Sequence, residues 1–350
     1  MRILVIGDTH FESKYDGQLR SQFDTLENII KDTKPNKLVF LGDIFHHRNP
    51  DVKTLVMVNE FFANLNYIPG LSNIYIIMGN HDSANKSDDG LTALSVLEYP
   101  GSKVFLTKTH DCYPDLGIEL IAHSENEKHS IFSLNNCAKD YIIFGHFGYD
   151  GCINLGEYQE FNIKREHFKG NRAILGHIHS FKEDGNLTIL GTPWPTNYGE
   201  SDYPHYVGIL DRNEDGSWKP LEKYEVKSGP RYYTCPLESL EVMKDEISDP
   251  NYFTILRVIV NRVSDETSND IRDKILRDYN IAYVEVKFQP LLNPKLDNRI
   301  SDYVPSTKIE ALSETVIDKY LEEQSSSIPK EELKAGLEEI RLHENQEDQG

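Results

Sequence analysis

Five short motifs that contain metal-ligand side chains are spread along the first half of the chain, and each begins with glycine. Each motif follows an apolar run that predicts a buried strand. In chain order the motifs are Gly7-Asp8-Thr9-His10, Gly42-Asp43-Ile44-Phe45-His46, Gly79-Asn80-His81-Asp82, Gly145-His146 and Gly176-His177-Ile178-His179. Loops at the carboxyl ends of strands are where an α/β sheet builds its sites. The pattern therefore favours a fold that gathers five strand ends around one site.

The spacing and the donor types within the motifs indicate metal binding. In an extended segment residues i and i+2 point the same way, so Asp8 and His10 can meet one ion. The same spacing places His177 and His179 on one side. The two carboxylate oxygens of Asp43 allow it to bridge two ions. Taken singly, such residues are more often caps or surface groups, but five motifs in one order predict a centre of oxygen and nitrogen donors, which suits manganese, iron or zinc.

The strand runs of the first 220 residues alternate at first with helical patterns, such as Gln22–Asp32 and Val52–Leu65. Apolar strands that alternate with helices predict an α/β fold, here a two-sheet sandwich flanked by helices. The later strands follow one another with less helical pattern between them. We therefore expect the second sheet to be more antiparallel than the first.

The rest of the chain divides by pattern into two further segments. Residues 221–300 are predicted to form a small accessory, capping-type domain after a connection interrupted by prolines. Its β-α-β order would comprise Phe253–Val260, Ser268–Tyr279 and Ile281–Phe288. Residues 301–350 are predicted to form a linker and a C-terminal helical hairpin. This hairpin either packs on its own domain or presents an apolar stripe to a partner helix.

The charge balance is unusual for a protein that would bind nucleic acid. The chain carries 57 acidic and 37 basic residues, a formal net charge of −20. None of the three segments is basic, so attraction to phosphate is not a property of the whole surface. Bound metal ions or a basic partner would have to supply local attraction.

Membrane insertion and disulfide formation are not expected. No apolar run reaches the roughly 18 residues that a membrane-spanning helix needs, and the apolar start of the chain ends at Asp8, too early for a signal peptide. The cysteines lack a CxxC spacing and are interpreted as free thiols in a reducing, cytoplasmic compartment. They are Cys112, Cys137, Cys152 and Cys235.

The motif order DxH, GDxxH, GNHD, GH and GHxH resembles that of the calcineurin-like metallophosphoesterase family. Within it, the chain is similar to the SbcD-type DNA repair nucleases, most of all to the phage recombination endonuclease subunits. Three details favour this branch: His46 stands three residues after Asp43, a GTPW motif begins at Gly191, and the three segments follow the same order. The motifs span residues 7–194, and the rest of the chain matches only in layout.

The resemblance implies a catalytic domain at residues 1–220 and two divalent metal ions, most often manganese. It assigns one ion to Asp8, His10, Asp43 and His179. It assigns the other to Asp43, Asn80, His146 and His177. Asp43 would bridge the two ions.

The resemblance also implies roles for three further residues. His81 corresponds to a general acid or phosphate-orienting histidine. Asp82 would hold the imidazole of His81 in its working tautomer. His46 would position the substrate or the attacking water.

Few cations lie near the motifs, and Arg48 ranks first as a contact to DNA because it directly follows His47 in a loop beside the cleft. His47 itself has no counterpart in the family and is interpreted as a solvated neighbour. His123 is interpreted as an ordinary surface residue, with contact to the substrate as the alternative.

The resulting functional hypothesis is a manganese-dependent DNA exonuclease and endonuclease subunit that processes DNA ends in recombination and double-strand-break repair. The resemblance implies a homodimer and an SbcC-type coiled-coil ATPase that docks on helices within residues 307–342. It also implies the host cytoplasm if the protein is phage-encoded.

Two other classes compete with this hypothesis. A calcineurin-like phosphatase or cyclic-nucleotide phosphodiesterase that acts on a small substrate would suit the acidic surface. The C-terminal extension and the GTPW motif argue against it. A scaffold without activity is disfavoured because every expected ligand is present.

Overall fold

This computed structural model describes residues 1–87, 89–152, 161–261 and 267–289. The linker and helical hairpin predicted for residues 301–350 lie outside these ranges. None of the helices in the described ranges is long and apolar enough to cross a membrane. All four cysteines fall within the ranges and are free thiols, as expected.

The described part of the chain forms three sheets. In chain order the strands are β1 (Arg2–Ile6), β2 (Lys37–Phe40), β3 (Asn73–Ile77), β4 (Val104–Thr107), β5 (His110–Tyr113), β6 (Ile118–Ile121), β7 (Ile142–His146), β8 (Ala173–Gly176), β9 (Lys182–Asp184), β10 (Leu187–Ile189), β11 (Tyr206–Asp211), β12 (Glu222–Glu225), β13 (Gly229–Pro236), β14 (Tyr252–Asn261) and β15 (Tyr283–Gln289). The α-helices are α1 (Gln18–Thr33), α2 (Val52–Leu65), α3 (Glu127–Asn136), α4 (Lys244–Ile247) and α5 (Ser268–Asp278).

The first sheet has the strand order β12-β11-β1-β2-β3-β4. Strands β1 to β3 are parallel because α1 and α2 return the chain to the same end of the sheet, and β4 continues the parallel order. Strand β1 is buried on both faces, which explains its unbroken apolar run. Leu4 and Ile6 pack with the helices, whereas Ile3 and Val5 pack toward the second sheet. The predicted two-sheet sandwich is confirmed.

The second sheet has the order β5-β6-β7-β8-β10-β9. Its three central pairs are parallel, and only its two edge pairs are antiparallel. The prediction of a more antiparallel second sheet is therefore wrong. A parallel crossover needs a dozen or more residues but does not need a long helix. The short α3 makes the crossover between β6 and β7, and the sequence between β7 and β8 shows no strong helical pattern.

The third sheet has the order β13-β14-β15, with all strands parallel. Its last two strands and α5 lie where the sequence predicts a β-α-β unit. The helix begins after Thr267, whose hydroxyl accepts from the N–H of Asp270 while the Asp270 carboxylate accepts from the N–H of Thr267. Leu256 and Val258 of β14 pack against the apolar face of α5. That residues 221–300 form a separate accessory domain remains a proposal.

The side chain of Trp194 links the GTPW motif to the first ligand motif. Its buried indole Nε1 donates to the carbonyl oxygen of Thr9 at 3.0 Å. Its ring lies 6.1 Å from that of Phe11, between centroids. Because Thr9 stands between two predicted ligands, this contact holds the backbone that presents them.

We expect Trp194→Phe to lower the free energy of unfolding by about 2 kcal/mol, because the Thr9 carbonyl loses its donor and the smaller ring leaves a void. Urea denaturation followed by circular dichroism measures the change. Trp218→Phe is the matched control, since Trp218 is only partly buried beside Arg212; its expected loss is below about 1 kcal/mol. Equal losses in the two variants would contradict the role of Trp194.

Candidate metal centre

The five ligand motifs lie at the carboxyl ends of strands in the first two sheets. Asp8, Asp43 and Asn80 follow β1, β2 and β3 of the first sheet. His146 ends β7 and His177 follows β8 in the second sheet. Because the two sheets pack face to face, these ends meet at one edge of the sandwich.

Glycine precedes several ligands because the chain passes too close to other ligand atoms for a side chain. A Cβ atom on Gly79 would lie 2.2 Å from Asp43 Oδ1. A Cβ atom on Gly176 would lie 2.4 Å from Asp8 Oδ1. Both distances are far below van der Waals contact, so only glycine lets the strand ends approach this closely.

Three of the ligand residues have left-handed backbone conformations that non-glycine residues rarely adopt. The φ angles are 42° at His10, 46° at Asp43 and 82° at His177. Each such residue costs on the order of 1–3 kcal/mol and persists only where its surroundings fix it. Clustering of this strain at one place is typical of a functional site.

One group of ligand atoms is formed by Asp8, His10, Asp43 and His179. His10 Nε2 lies 3.1 Å from His179 Nε2 and 3.7 Å from Asp43 Oδ2. Asp8, His10 and His179 each contribute one ligand atom to a set that lies within 4.8 Å.

A second group is formed by Asp43, Asn80, His146 and His177. Asn80 Oδ1 lies 3.0 Å from His146 Nε2 and 2.9 Å from His177 Nδ1. Asp43 Oδ1 lies 3.4 Å from His146 Nε2. The two oxygens of Asp43 thus face different groups, as a bridging ligand requires. The structure brings all seven predicted ligand residues together.

These separations fit the coordination shell of a divalent cation. Donor atoms about 2.0–2.2 Å from one ion are themselves about 3.0–3.6 Å apart. Asp8 Oδ1 is buried and has no hydrogen-bond partner among the described residues. Burial raises the pKa of Asp8 to about 7, because the protein groups around it do not fully offset lost hydration. A bound cation would supply the missing charge.

Two of the histidines are fixed in orientation by partners behind them. His146 Nδ1 lies 2.8 Å from the carbonyl oxygen of Leu41. His179 Nδ1 lies 2.7 Å from Glu200 Oε1. Donation from each Nδ1 leaves the Nε2 lone pair directed into the ligand groups. Glu200 was not predicted from the sequence. It lies in the loop after β10, and no motif around it indicates a contact with His179.

The contacts of His81 differ in part from the prediction. His81 Nδ1 lies 2.6 Å from the carbonyl oxygen of His46, which sets the ring orientation. Asp82 was expected to hold this ring. Its buried carboxylate instead accepts from three backbone N–H groups, those of Ile44, Phe45 and Gly79. Asp82 therefore connects the loops of the second and third motifs by hydrogen bonds. The orientation of the His81 ring, which was expected to depend on Asp82, is set instead by the main-chain carbonyl of His46.

The two adjacent histidines of the second motif have different surroundings. The ring of His46 is partly buried, with its centroid 5.4 Å from that of His10 and 6.3 Å from that of His81. The side chain of His47 is 66% exposed, and its Nε2 lies 3.3 Å from Glu12 Oε1. His46 thus lies beside the first ligand group, where its predicted role in positioning substrate requires it to be.

A cavity of about 340 Å³ opens beside the second ligand group. Asn80, His177, Arg48 and His123 line part of it. The place of His123 in this lining favours the alternative of contact with the substrate, and its ring centroid lies 5.7 Å from that of His177. The guanidinium of Arg48 lies 3.0 Å from Glu125 Oε1, so much of its charge is already paired.

A model of the calcineurin-like phosphoesterase family matches residues 1–181 of the 350-residue chain. The chain is also similar to Exonuclease subunit 1 of Enterobacteria phage T4, with 24% identity over 334 residues and 92% of each chain covered. It is 22% identical over 343 residues to the DNA double-strand break repair protein Mre11 of Methanocaldococcus jannaschii, covering 91% of this chain and 84% of that protein.

The DNA double-strand break repair protein Mre11 of Methanosarcina mazei is 24% identical over 278 residues. That match covers 73% of this chain but 39% of the archaeal protein. The family resemblance inferred from the motifs is confirmed.

We expect Glu200→Gln to weaken metal binding by about 10- to 100-fold, because the carboxylate that orients and polarises His179 is lost. Calorimetric titration of the metal-free protein with Mn²⁺ measures the change. Glu214→Gln, at an exposed position, is the matched control and should bind like the wild type. Unchanged affinity in Glu200→Gln would show that Glu200 does not support a metal ligand.

Proposed function

The chain belongs to the calcineurin-like phosphoesterase family, and from this premise we propose that it is a two-metal DNA exonuclease and endonuclease. The observation that carries the proposal is the convergence of seven ligand residues into two groups that share Asp43. The similarity to an exonuclease subunit over 92% of both chains supports DNA as the substrate.

We assign one ion to Asp8, His10, Asp43 and His179. The second ion is assigned to Asp43, Asn80, His146 and His177. Manganese is proposed from the resemblance to the SbcD-type nucleases, and the donor set of oxygen and nitrogen without sulfur suits it, as it also suits iron and zinc. When bound, a pair of divalent ions activates water for attack on phosphorus and offsets the negative charge that develops there.

The protein side chains supply orientation and proton transfer. His81 is proposed as the general acid, since its Nδ1 faces the His46 carbonyl and its Nε2 remains to protonate the leaving sugar oxygen. The ring lies 5.1 Å from that of His10, so it stands at the edge of the first ligand group. His46 lies beside the first ligand group and His123 beside the second, and we assign both to contact with the substrate phosphate.

A small phosphate monoester or cyclic phosphodiester is the second candidate substrate. The pairing of Arg48 with Glu125 favours it, because the cation best placed to hold a long phosphate backbone is largely neutralised. A phosphatase or cyclic-nucleotide phosphodiesterase would need only the metal ions for its single phosphate.

Partners are proposed from the resemblance and from the relatives' names. The phage relative is called a subunit, which supports an assembly with a second protein. We propose that the partner is an SbcC-type coiled-coil ATPase, which binds residues within 301–350 of the nuclease. We also propose that two nuclease chains form a homodimer. The proposed setting is DNA-end processing during recombination and repair, in the host cytoplasm if the protein is phage-encoded.

We expect the purified chain to shorten end-labelled linear duplex DNA with Mn²⁺ and to lose this activity with a chelator. His177→Ala should lose more than about 100-fold in rate, because removal of one ligand is more severe than removal of a residue behind it. His129→Ala, at an exposed histidine, is the matched control. Brisk hydrolysis of a small phosphodiester without cleavage of DNA, even with the ATPase added, would favour the second candidate.

We expect His81→Ser to bind metal normally and to lose about 100-fold or more in the rate of DNA cleavage, because the sugar oxygen leaves without a proton. The same variant should lose much less of the rate of hydrolysis of a nitrophenyl phosphodiester than of DNA cleavage, since nitrophenolate needs no proton to leave. An unchanged rate on DNA would remove the general-acid role.

A further inference from the structure

A cavity of about 530 Å³ lies between the third sheet and two loops next to the first ligand group. One loop follows β1 and contributes Lys14 and Tyr15, only a few residues after His10. The other contributes Tyr198, two residues before the Glu200 that orients His179. The cavity volume falls within the range of about 300–1,000 Å³ that is usual for small-ligand sites.

The third sheet presents a different chemistry on each face. Leu256 of β14 packs toward α5, so the neighbouring Arg257 points to the opposite face. Tyr232, Tyr283 and Glu285 lie on that same face and line the cavity. Part of that face is covered by α1, because Phe253 of β14 lies against Gly17, and the cavity occupies the rest. Aromatic side chains on the face of a sheet are surfaces on which unpaired bases stack.

The cavity wall is aromatic. The rings of Tyr15 and Tyr283 lie 4.3 Å apart between centroids and are tilted by 38°. The guanidinium of Arg257 lies 3.8 Å above the ring of Tyr198. Tyr283 is 39% exposed, so its ring remains accessible from solvent.

The charges of the cavity favour a neutral ligand over an anion. Arg257 Nε lies 2.8 Å from Glu285 Oε2, so its positive charge is paired. Lys14 is the only other cation among the residues that line the cavity in the described part of the chain. A phosphate group would find little net attraction here, whereas a planar heteroaromatic ring would find stacking surfaces and hydrogen-bonding groups.

We propose that this tyrosine cavity binds one unpaired nucleobase of the DNA strand whose phosphate lies at the metal centre. The inference rests on the proposed nuclease function and adds to it a subsite that holds an unpaired base. A base inside a duplex cannot enter such a cavity unless it leaves the stack. Stacking is tolerant of base identity, so the cavity selects unpaired DNA without selecting sequence.

The test compares binding of two fluorescein-labelled oligomers of equal length by the full chain, in Ca²⁺ to prevent cleavage. One is single-stranded oligothymidylate, and the other has the same phosphate backbone with abasic residues. Fluorescence anisotropy should give the wild type about tenfold tighter binding of the base-bearing strand. Tyr283→Ala should bind the two oligomers equally, whereas Tyr283→Phe, which keeps the ring, should bind like the wild type.

Tyr67→Ala is the matched control, because Tyr67 is 85% exposed and outside the cavity. The proposal is overturned if the wild type shows no preference for bases, if neither oligomer binds, or if Tyr283→Ala keeps the preference. Shortening of end-labelled linear DNA in Mn²⁺ is measured in parallel. Its absence from the wild type would refute the nuclease function, whereas its presence without a base preference would refute the cavity alone.

Discussion

Burial of two carboxylates, Asp8 and Asp43, where the two sheets meet is the constraint on which the rest of the site depends. Both are almost completely enclosed, and enclosed charge is strongly unfavourable unless opposite charge and hydrogen bonds accompany it. Two of the surrounding histidines, His146 and His179, are oriented as ligands by groups behind them, and bound metal ions would supply the balancing charge. The glycines, the left-handed backbone angles and the Trp194 contact all serve to hold five strand ends within reach of these two carboxylates.

The ligand residues could be predicted from the sequence because each sits at the end of an apolar run and because spacing within a strand fixes direction. The parallel order of the second sheet could not, since its crossovers lack a clear helical period. Glu200, the place of His123 beside His177 and the true partners of Asp82 also escaped prediction. Their roles depend on contacts between segments far apart in the chain, and such contacts leave no local pattern. The sequence thus predicted the ligands, which local motifs identify, but not the supporting contacts, which depend on tertiary packing.

The net charge of −20 is consistent with a nuclease if attraction to DNA is confined to small regions. Paired divalent ions would concentrate positive charge at the scissile phosphate. Beside them, paired cations such as Arg48 and Arg257 keep their positions without making the whole cleft basic. An aromatic cavity adds affinity that does not depend on charge. Such a protein would hold long duplex DNA weakly and would rely on a partner, or on exposed ends, for access.

The ligands are divided between the two sheets: four come from loops of the first and three from loops of the second. Bound ions would therefore join the two layers of the sandwich, much as a cross-link does. Any ligand that binds only the folded state raises its stability in proportion to the logarithm of its concentration. The melting temperature of this protein should therefore rise with the occupancy of the metal sites. A compound that removes or displaces the ions would lower it, which a thermal-shift assay detects without any nucleic acid.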